Sequence, residues 1–292
     1  VILFCMATGV LAHKLGYLGG ETDQRLCRLI LGSTMPCVIL GSVSSGDTLP
    51  SAGEILSILK VAAVFYGLGF LAAAFVPRLL GGTAKQQGVW RYSLVFSNMA
   101  FIGYPVSVAL FGQEALFYAV ILVLPFNLLA YSLGPLMLAG QAKFRWQQLT
   151  SPCVIAAVAA LVVALCRLNI PALAGECLNF VGSLTTPLSL LVVGSLLADL
   201  PFGRAFTSLR LWILTALRLL ILPGVLWLVL KWTGIGTPLV DDIAVILMAT
   251  PAALNGSMLA MEYGGDTECM AQSIFLTTLM SILTIPVLAA LL

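Results

Sequence analysis

The sequence predicts an all-α integral membrane protein, and three observations carry that expectation. Only 9% of its 292 residues are charged and 60% are apolar, where a soluble domain carries about 25% charge. Mean hydropathy is +1.07, which is more apolar surface than one globular core of this size can hide, so the solvent for most of the chain is lipid. Apolar runs bounded by glycine, proline or charge recur along the whole length. None alternates in the manner of a barrel strand, and backbone polar groups in hydrocarbon must then be satisfied within helices.

The runs fall near residues 1–17, 24–45, 55–77, 90–111, 115–138, 152–168, 177–198, 208–231, 241–262 and 268–292, so ten transmembrane helices are expected. At roughly 20 residues per crossing they leave no room for a large extramembrane domain. The first run is followed by His13 and Lys14, whereas a signal peptide carries its charge ahead of its apolar stretch. Residues 1–17 are therefore expected to form a first span, truncated at its outer end. The second run is the least conventional, with Arg25, Arg28 and a central Pro36.

Composition also excludes several function classes. A net charge of +2 is too small and dispersed for a nucleic-acid partner. Seven cysteines without a CxxC pair, four of them (Cys5, Cys37, Cys153 and Cys166) inside apolar runs, and one histidine, His13, imply neither a disulfide framework nor a metal site. No metal, cofactor or catalytic residue is expected: hydrolase, phosphate-loop and metalloprotease motifs and paired intramembrane aspartates are absent.

Ten of the fourteen basic residues flank odd-numbered connections: Lys14, Arg25 and Arg28; Arg78, Lys85 and Arg91; Lys143 and Arg145; Arg204 and Arg210. The positive-inside rule places those connections in the cytoplasm and both termini outside.

The two halves resemble one another. A shift of about 151 residues lays Gly32 to Pro36 over Ser183 to Pro187 and Ser44 over Ser195. A nearly equal shift lays Ser97 to Pro105 over Ala249 to Ser257, and Phe111 to Glu114 over Tyr263 to Asp266. With five spans per half the second must be inverted relative to the first. Residues 1–140 form one repeat, 141–150 a cytoplasmic linker and 151–292 the inverted repeat.

The fourth and ninth runs carry the unusual residues. Ser97, Asn98, Gly103 and Pro105 lie in one, and Thr250, Pro251, Asn255, Gly256 and Ser257 in the other. Proline removes a backbone donor and glycine lets the chain turn, so both helices are expected to break near the bilayer midplane. Half-helix N-termini there suit a carboxylate, and Asn98 and Asn255 add amide donors without the cost of a buried charge. The alternative is a pair of ordinary kinks with the asparagines as interhelical glue. Glu262, at the end of the ninth run, is a candidate for a coupling proton or a simple loop cap. Pro36 and Pro187 follow Gly/Ser/Thr stretches that read either as hinges or as close-packing surfaces. Arg218 is expected to snorkel to the cytoplasmic interface, with substrate binding as the alternative.

Several stretches in order resemble the auxin efflux carrier family of membrane transport proteins. They are Gly9 to Leu18 (GVLAHKLGYL), Met35 to Leu40 (MPCVIL), Asn98 to Pro105 (NMAFIGYP) with Leu110-Phe111-Gly112, Gly194 to Ala198 (GSLLA), and Leu259 to Gly264 (LAMEYG). The resemblance implies two inverted five-helix repeats whose broken fourth and ninth helices cross at the substrate. It also implies a scaffold of helices 1, 2, 6 and 7, a transport domain of helices 3–5 and 8–10, and a homodimer. The crossing residues it implies here are Asn98, Gly103, Pro105, Pro251 and Asn255, beside which Ser97, Thr250 and Ser257 complete the candidate substrate-binding set. Only about ten residues join the halves, so the long cytoplasmic loop of many plant members is missing and the compact form points to a bacterial inner membrane.

The function expected from the residues and the resemblance together is a secondary transporter of a small organic anion working by alternating access. A sodium-coupled symporter of the bile-acid transporter type and a non-transporting membrane sensor with the same fold are the alternatives. The expected partners are the anion, the lipid bilayer and a second copy of the chain.

Overall fold

The computed structural model describes residues 2–41, 43–44, 52–139, 152–166, 168, 170–199 and 206–292. Among them every regular element is a helix, and helix occupies each of the ten apolar runs. In order these are α1 (Ile2–Lys14), α2 (Gly20–Leu29), α3 (Met35–Gly41), α4 (Ala52–Leu80), α5 (Ala84–Val95), α6 (Tyr104–Phe111), α7 (Ala115–Ser132), α8 (Gly134–Ala139), α9 (Pro152–Cys166), α10 (Ala172–Gly182), α11 (Thr185–Asp199), α12 (Leu209–Ala216), α13 (Leu222–Thr233), α14 (Pro238–Met248), α15 (Asn255–Tyr263) and α16 (Thr267–Ala289). Three continuous helices, Gly53–Leu80, Leu209–Thr233 and Thr267–Ala289, are each long and apolar enough to cross a membrane. With the overall composition they make this a multi-pass membrane protein.

Three π-helical turns interrupt the helices, at Ile30–Thr34, Met99–Gly103 and Leu217–Ile221. Each is followed by one residue and then a proline: Pro36, Pro105 and Pro223. Proline has no N–H for the carbonyl four residues back and its ring presses on that turn, so the turn widens. Proline is not sufficient, because Pro77, Pro125 and Pro286 lie inside helices without a π turn. The second run is therefore one helical path from Gly20 to Gly41 bent by a π turn ahead of Pro36, and just beyond it a Cβ added to Gly182 would come within 3.0 Å of Val38.

The chain forms two compact units. The first comprises Val1–Leu59, Ala100–Leu124 and Gln147–Asp199. Its tightest seam is α1 on α11, where a Cβ added to Gly9 would strike the Leu191 carbonyl and one added to Gly194 the Met6 carbonyl. Small residues let two helix backbones meet where lipid offers no hydrophobic drive for association. The N-terminus of α2 is tied to the same seam. Asp23, 1% exposed, accepts from the Gly19 amide at 3.0 Å and from Ser195 Oγ at 2.6 Å, and His13 Nδ1 lies 3.1 Å from that hydroxyl.

The second unit comprises Lys60–Met99, Pro125–Trp146 and Leu200–Leu292. Three of its helices have conventional starts: Thr83 and Gln86 form a reciprocal cap on α5, Thr237 with Pro238 opens α14, and Asp266 accepts from the Cys269 amide to open α16. Gly264, with φ of 74°, closes α15 in the left-handed conformation that glycine adopts without strain. Phe96 is held by Tyr92, Phe126 and Phe70 at ring-centre separations of 4.9, 5.7 and 6.4 Å. Each unit draws on both halves of the chain, and residues 140–150 lie outside the described residues.

Candidate substrate site

The fourth and ninth runs leave the helical conformation where proline, glycine and asparagine concentrate. α5 ends at Val95, Phe96 is extended (φ −105°, ψ 115°), and helix resumes at the π turn from Met99. α14 ends at Met248 and helix resumes only at Asn255. The two extended segments pair antiparallel across Ser97 and Ala252. The Asn98 amide donates to the Pro251 carbonyl at 2.8 Å, and the Ala253 amide to the Phe96 carbonyl at 3.0 Å. Each broken helix thus satisfies backbone groups the other has lost, a requirement where water is excluded.

Side chains complete the junction. Thr277 Oγ1, on α16, accepts from the Ala252 amide at 3.2 Å and donates to the Ser273 carbonyl at 2.6 Å. Thr250 Oγ1 donates to the Leu247 carbonyl at 2.7 Å. The Tyr92 hydroxyl donates to Asn255 Oδ1 at 2.8 Å, which occupies the amide's acceptor and leaves its NH₂ group for another acceptor. A Cβ on Gly256 would come within 2.6 Å of the Tyr92 ring, so glycine lets the tyrosine reach its asparagine.

Not every polar group is matched. Asn98 is 3% exposed, and its Nδ2 has no hydrogen-bond partner among the described residues. The hydroxyls of Ser93, Ser97 and Thr278, all fully buried, are likewise without one. An unmatched buried polar group costs about 1–3 kcal/mol, and Ser97 and Asn98 carry two of them at the helix break.

Of the expected site residues, Ser97, Asn98, Thr250, Pro251, Asn255 and Ser257 share the second unit, with the first four buried and the last two half-buried. Gly103 and Pro105 are buried in the first unit, where Pro105 opens α6 behind its π turn. The half-helix N-termini offer fewer donors than expected. The Gly256 and Ser257 amides bond back to Ala253 and Leu254, and the Asn98 amide is held by Pro251. Glu262 falls in α15, but its side chain lies outside the described residues.

Arg218 overturns its expectation. It does not snorkel: it is 0% exposed within the π turn, and Nε and Nη2 have no partner among the described residues. Depth counted from the end of a run says nothing of which way a side chain faces. Tyr92 and Thr277 were absent from the expected set; the signal that could have found Thr277 is the polar stretch Thr277, Thr278 and Ser281 inside an otherwise apolar last run.

Among known proteins, the chain matches the family described as membrane transport protein over residues 1–144 and 137–289. It is 24% identical to an uncharacterized transporter of Methanothermobacter thermautotrophicus, covering 98% of this chain and 94% of the relative. A second uncharacterized transporter, from Methanocaldococcus jannaschii, is 26% identical over the same shares of the two chains, 98% and 94%. A Rhizobium meliloti protein provisionally named a malonate transporter is 22% identical, covering 95% of this chain and 89% of the relative. Matched from end to end and built of apolar helices, the chain belongs to the auxin efflux carrier-like family of membrane transport proteins.

Proposed function

We propose that the protein is a secondary transporter that moves a small organic anion, a carboxylate or dicarboxylate, across the membrane by alternating access. The observation that carries this reading is the hydrogen-bonded junction of two interrupted helices, with the buried donor Asn98 Nδ2 left unmatched beside it. Asn98 and Asn255 present amide donors to the carboxylate, and Ser97, Thr250, Pro251 and Ser257, with Gly103 and Pro105 further along the fourth run, shape the break that exposes them. The provisional name of the Rhizobium relative supports a dicarboxylate. Ten spans in two inverted five-helix repeats, both termini outside the cell membrane and a homodimer complete the reading. The bias of basic residues toward odd-numbered connections supports that orientation.

The test is flux of acetate, malonate and succinate into proteoliposomes containing wild type, Asn98→Ala or Asn255→Ala. Loss of one amide donor to an anion is expected to cut uptake by roughly tenfold or more in each variant while both remain folded. Undiminished flux in both overturns the site. Absence of flux for every carboxylate in the wild type overturns the transport reading, and binding without flux assigns the fold to a sensor.

A further inference from the structure

We propose that Arg218 is the fixed positive charge of the substrate site, receiving a carboxylate of the transported anion at the level of the helix junction; this rests on the organic-anion reading above.

The placement follows from register within the second unit. A polar cleft is lined by the starts of three helices: Gln86 and Trp90 from α5, Ser208 and Arg210 ahead of and within α12, and Asp266 and Gln272 from α16. The π turn Leu217–Ile221 packs against both α5 and α16, so the three paths run side by side from that cleft. At 1.5 Å per residue, Arg218 lies about 12 Å beyond Arg210. The same rise carries α5 from Gln86 to its last turn, which holds Ser93 and leads into Ser97 and Asn98, and carries α16 from Glu268 to Thr277 and Thr278. Arg218 therefore shares a level with the junction and with its four unmatched polar groups, Ser93, Ser97, Asn98 and Thr278.

Charge makes this level a site rather than a packing fault. A guanidinium stays protonated, and an unpaired one away from water is among the most expensive groups a fold can hold. The carboxylates of the second unit lie elsewhere along the register. Asp266 and Glu268 belong to the cleft at the start of α16. Asp241 and Asp242 stand in the first turns of α14. Glu262 is seven residues beyond Asn255 and four short of Asp266, about 10 Å from the junction along α15. An anion entering from outside would neutralise Arg218, and its planar fork suits a carboxylate. Fixed positive charge also disfavours a sodium ion at this level.

The experiment compares wild type, Arg218→Lys, Arg218→Met and Glu262→Gln in detergent, by thermal unfolding and by calorimetric binding of acetate, malonate and succinate. Arg218→Met is expected to melt no lower than wild type without ligand, because it removes an unpaired charge, and to bind the best carboxylate roughly 100-fold more weakly. Arg218→Lys, which keeps charge but not the fork, is expected to lose about tenfold. Glu262→Gln tests whether Arg218 is instead paired inside the protein. Unaltered carboxylate binding by Arg218→Met overturns the proposal while the transport reading stands. A lower melting temperature shared by Arg218→Met and Glu262→Gln also overturns it, because it identifies an internal ion pair. Failure of the wild type to bind any of the three anions removes the organic-anion reading and this proposal with it.

Discussion

Among the described residues each unit buries one charged side chain almost completely, and the two are treated in opposite ways. Asp23 in the first unit is met by a backbone amide and by the Ser195 hydroxyl, itself beside His13. Arg218 in the second has two nitrogens without a hydrogen-bond partner among the described residues. A matched buried charge couples elements, here the starts of α2 and the α1–α11 seam, into one rigid piece. An unmatched one holds free energy in reserve that a ligand can release, as differential binding during a transport cycle requires. On the anion reading proposed above, the first unit stays as it is and the second responds to the anion.

The comparison breaks most decisively at Asp23. Asp23→Ala is expected to lower stability by about 2–4 kcal/mol, because it removes the acceptor shared by the Ser195 hydroxyl and the Gly19 amide. A melting temperature equal to wild type would show that the first unit does not depend on its matched charge. The contrast with Arg218→Met, expected to be stability-neutral or better, is the sharpest form of the test. A smaller effect is expected at Gly256. The added methyl of Gly256→Ala meets the Tyr92 ring at 2.6 Å and the Met270 side-chain end, so about 1–3 kcal/mol of overpacking is expected. Transport should fall more than stability, since the ring is pushed off Asn255; equal flux in proteoliposomes would remove Tyr92 from the site. The smallest effect is expected from Tyr92→Phe, which deletes one hydrogen bond worth about 1 kcal/mol and should raise the apparent KM a fewfold with only a small drop in melting temperature.

How far the site was legible depends on what each residue does to the backbone. Pro251, Gly103, Pro105 and Asn98 announce themselves because proline, glycine and asparagine are costly in the middle of an apolar helix, so their presence marks a break. The antiparallel pairing of Ser97 with Ala252 could not be read, because it joins segments about 150 residues apart and depends on which carbonyls the breaks leave free. Arg218 was visible as a charge but misplaced. In a run that is hydrophobic all round, no periodicity tells the inward face from the lipid face, and a snorkelling arginine and a buried one look alike. Tyr92 and Thr277 were hidden for the same reason: each joins the junction only through the neighbour it touches.

By itself, then, the sequence determined the solvent, the positions of the helices and the places where two of them break, because these follow from composition and from the local geometry of proline and glycine. Only the tertiary structure decided that the breaks bond to one another, that Asp23 has partners and that Arg218 has two nitrogens without them. Those outcomes depend on the direction in which each side chain faces and on what stands opposite it, and one-dimensional spacing in a uniformly apolar chain carries neither.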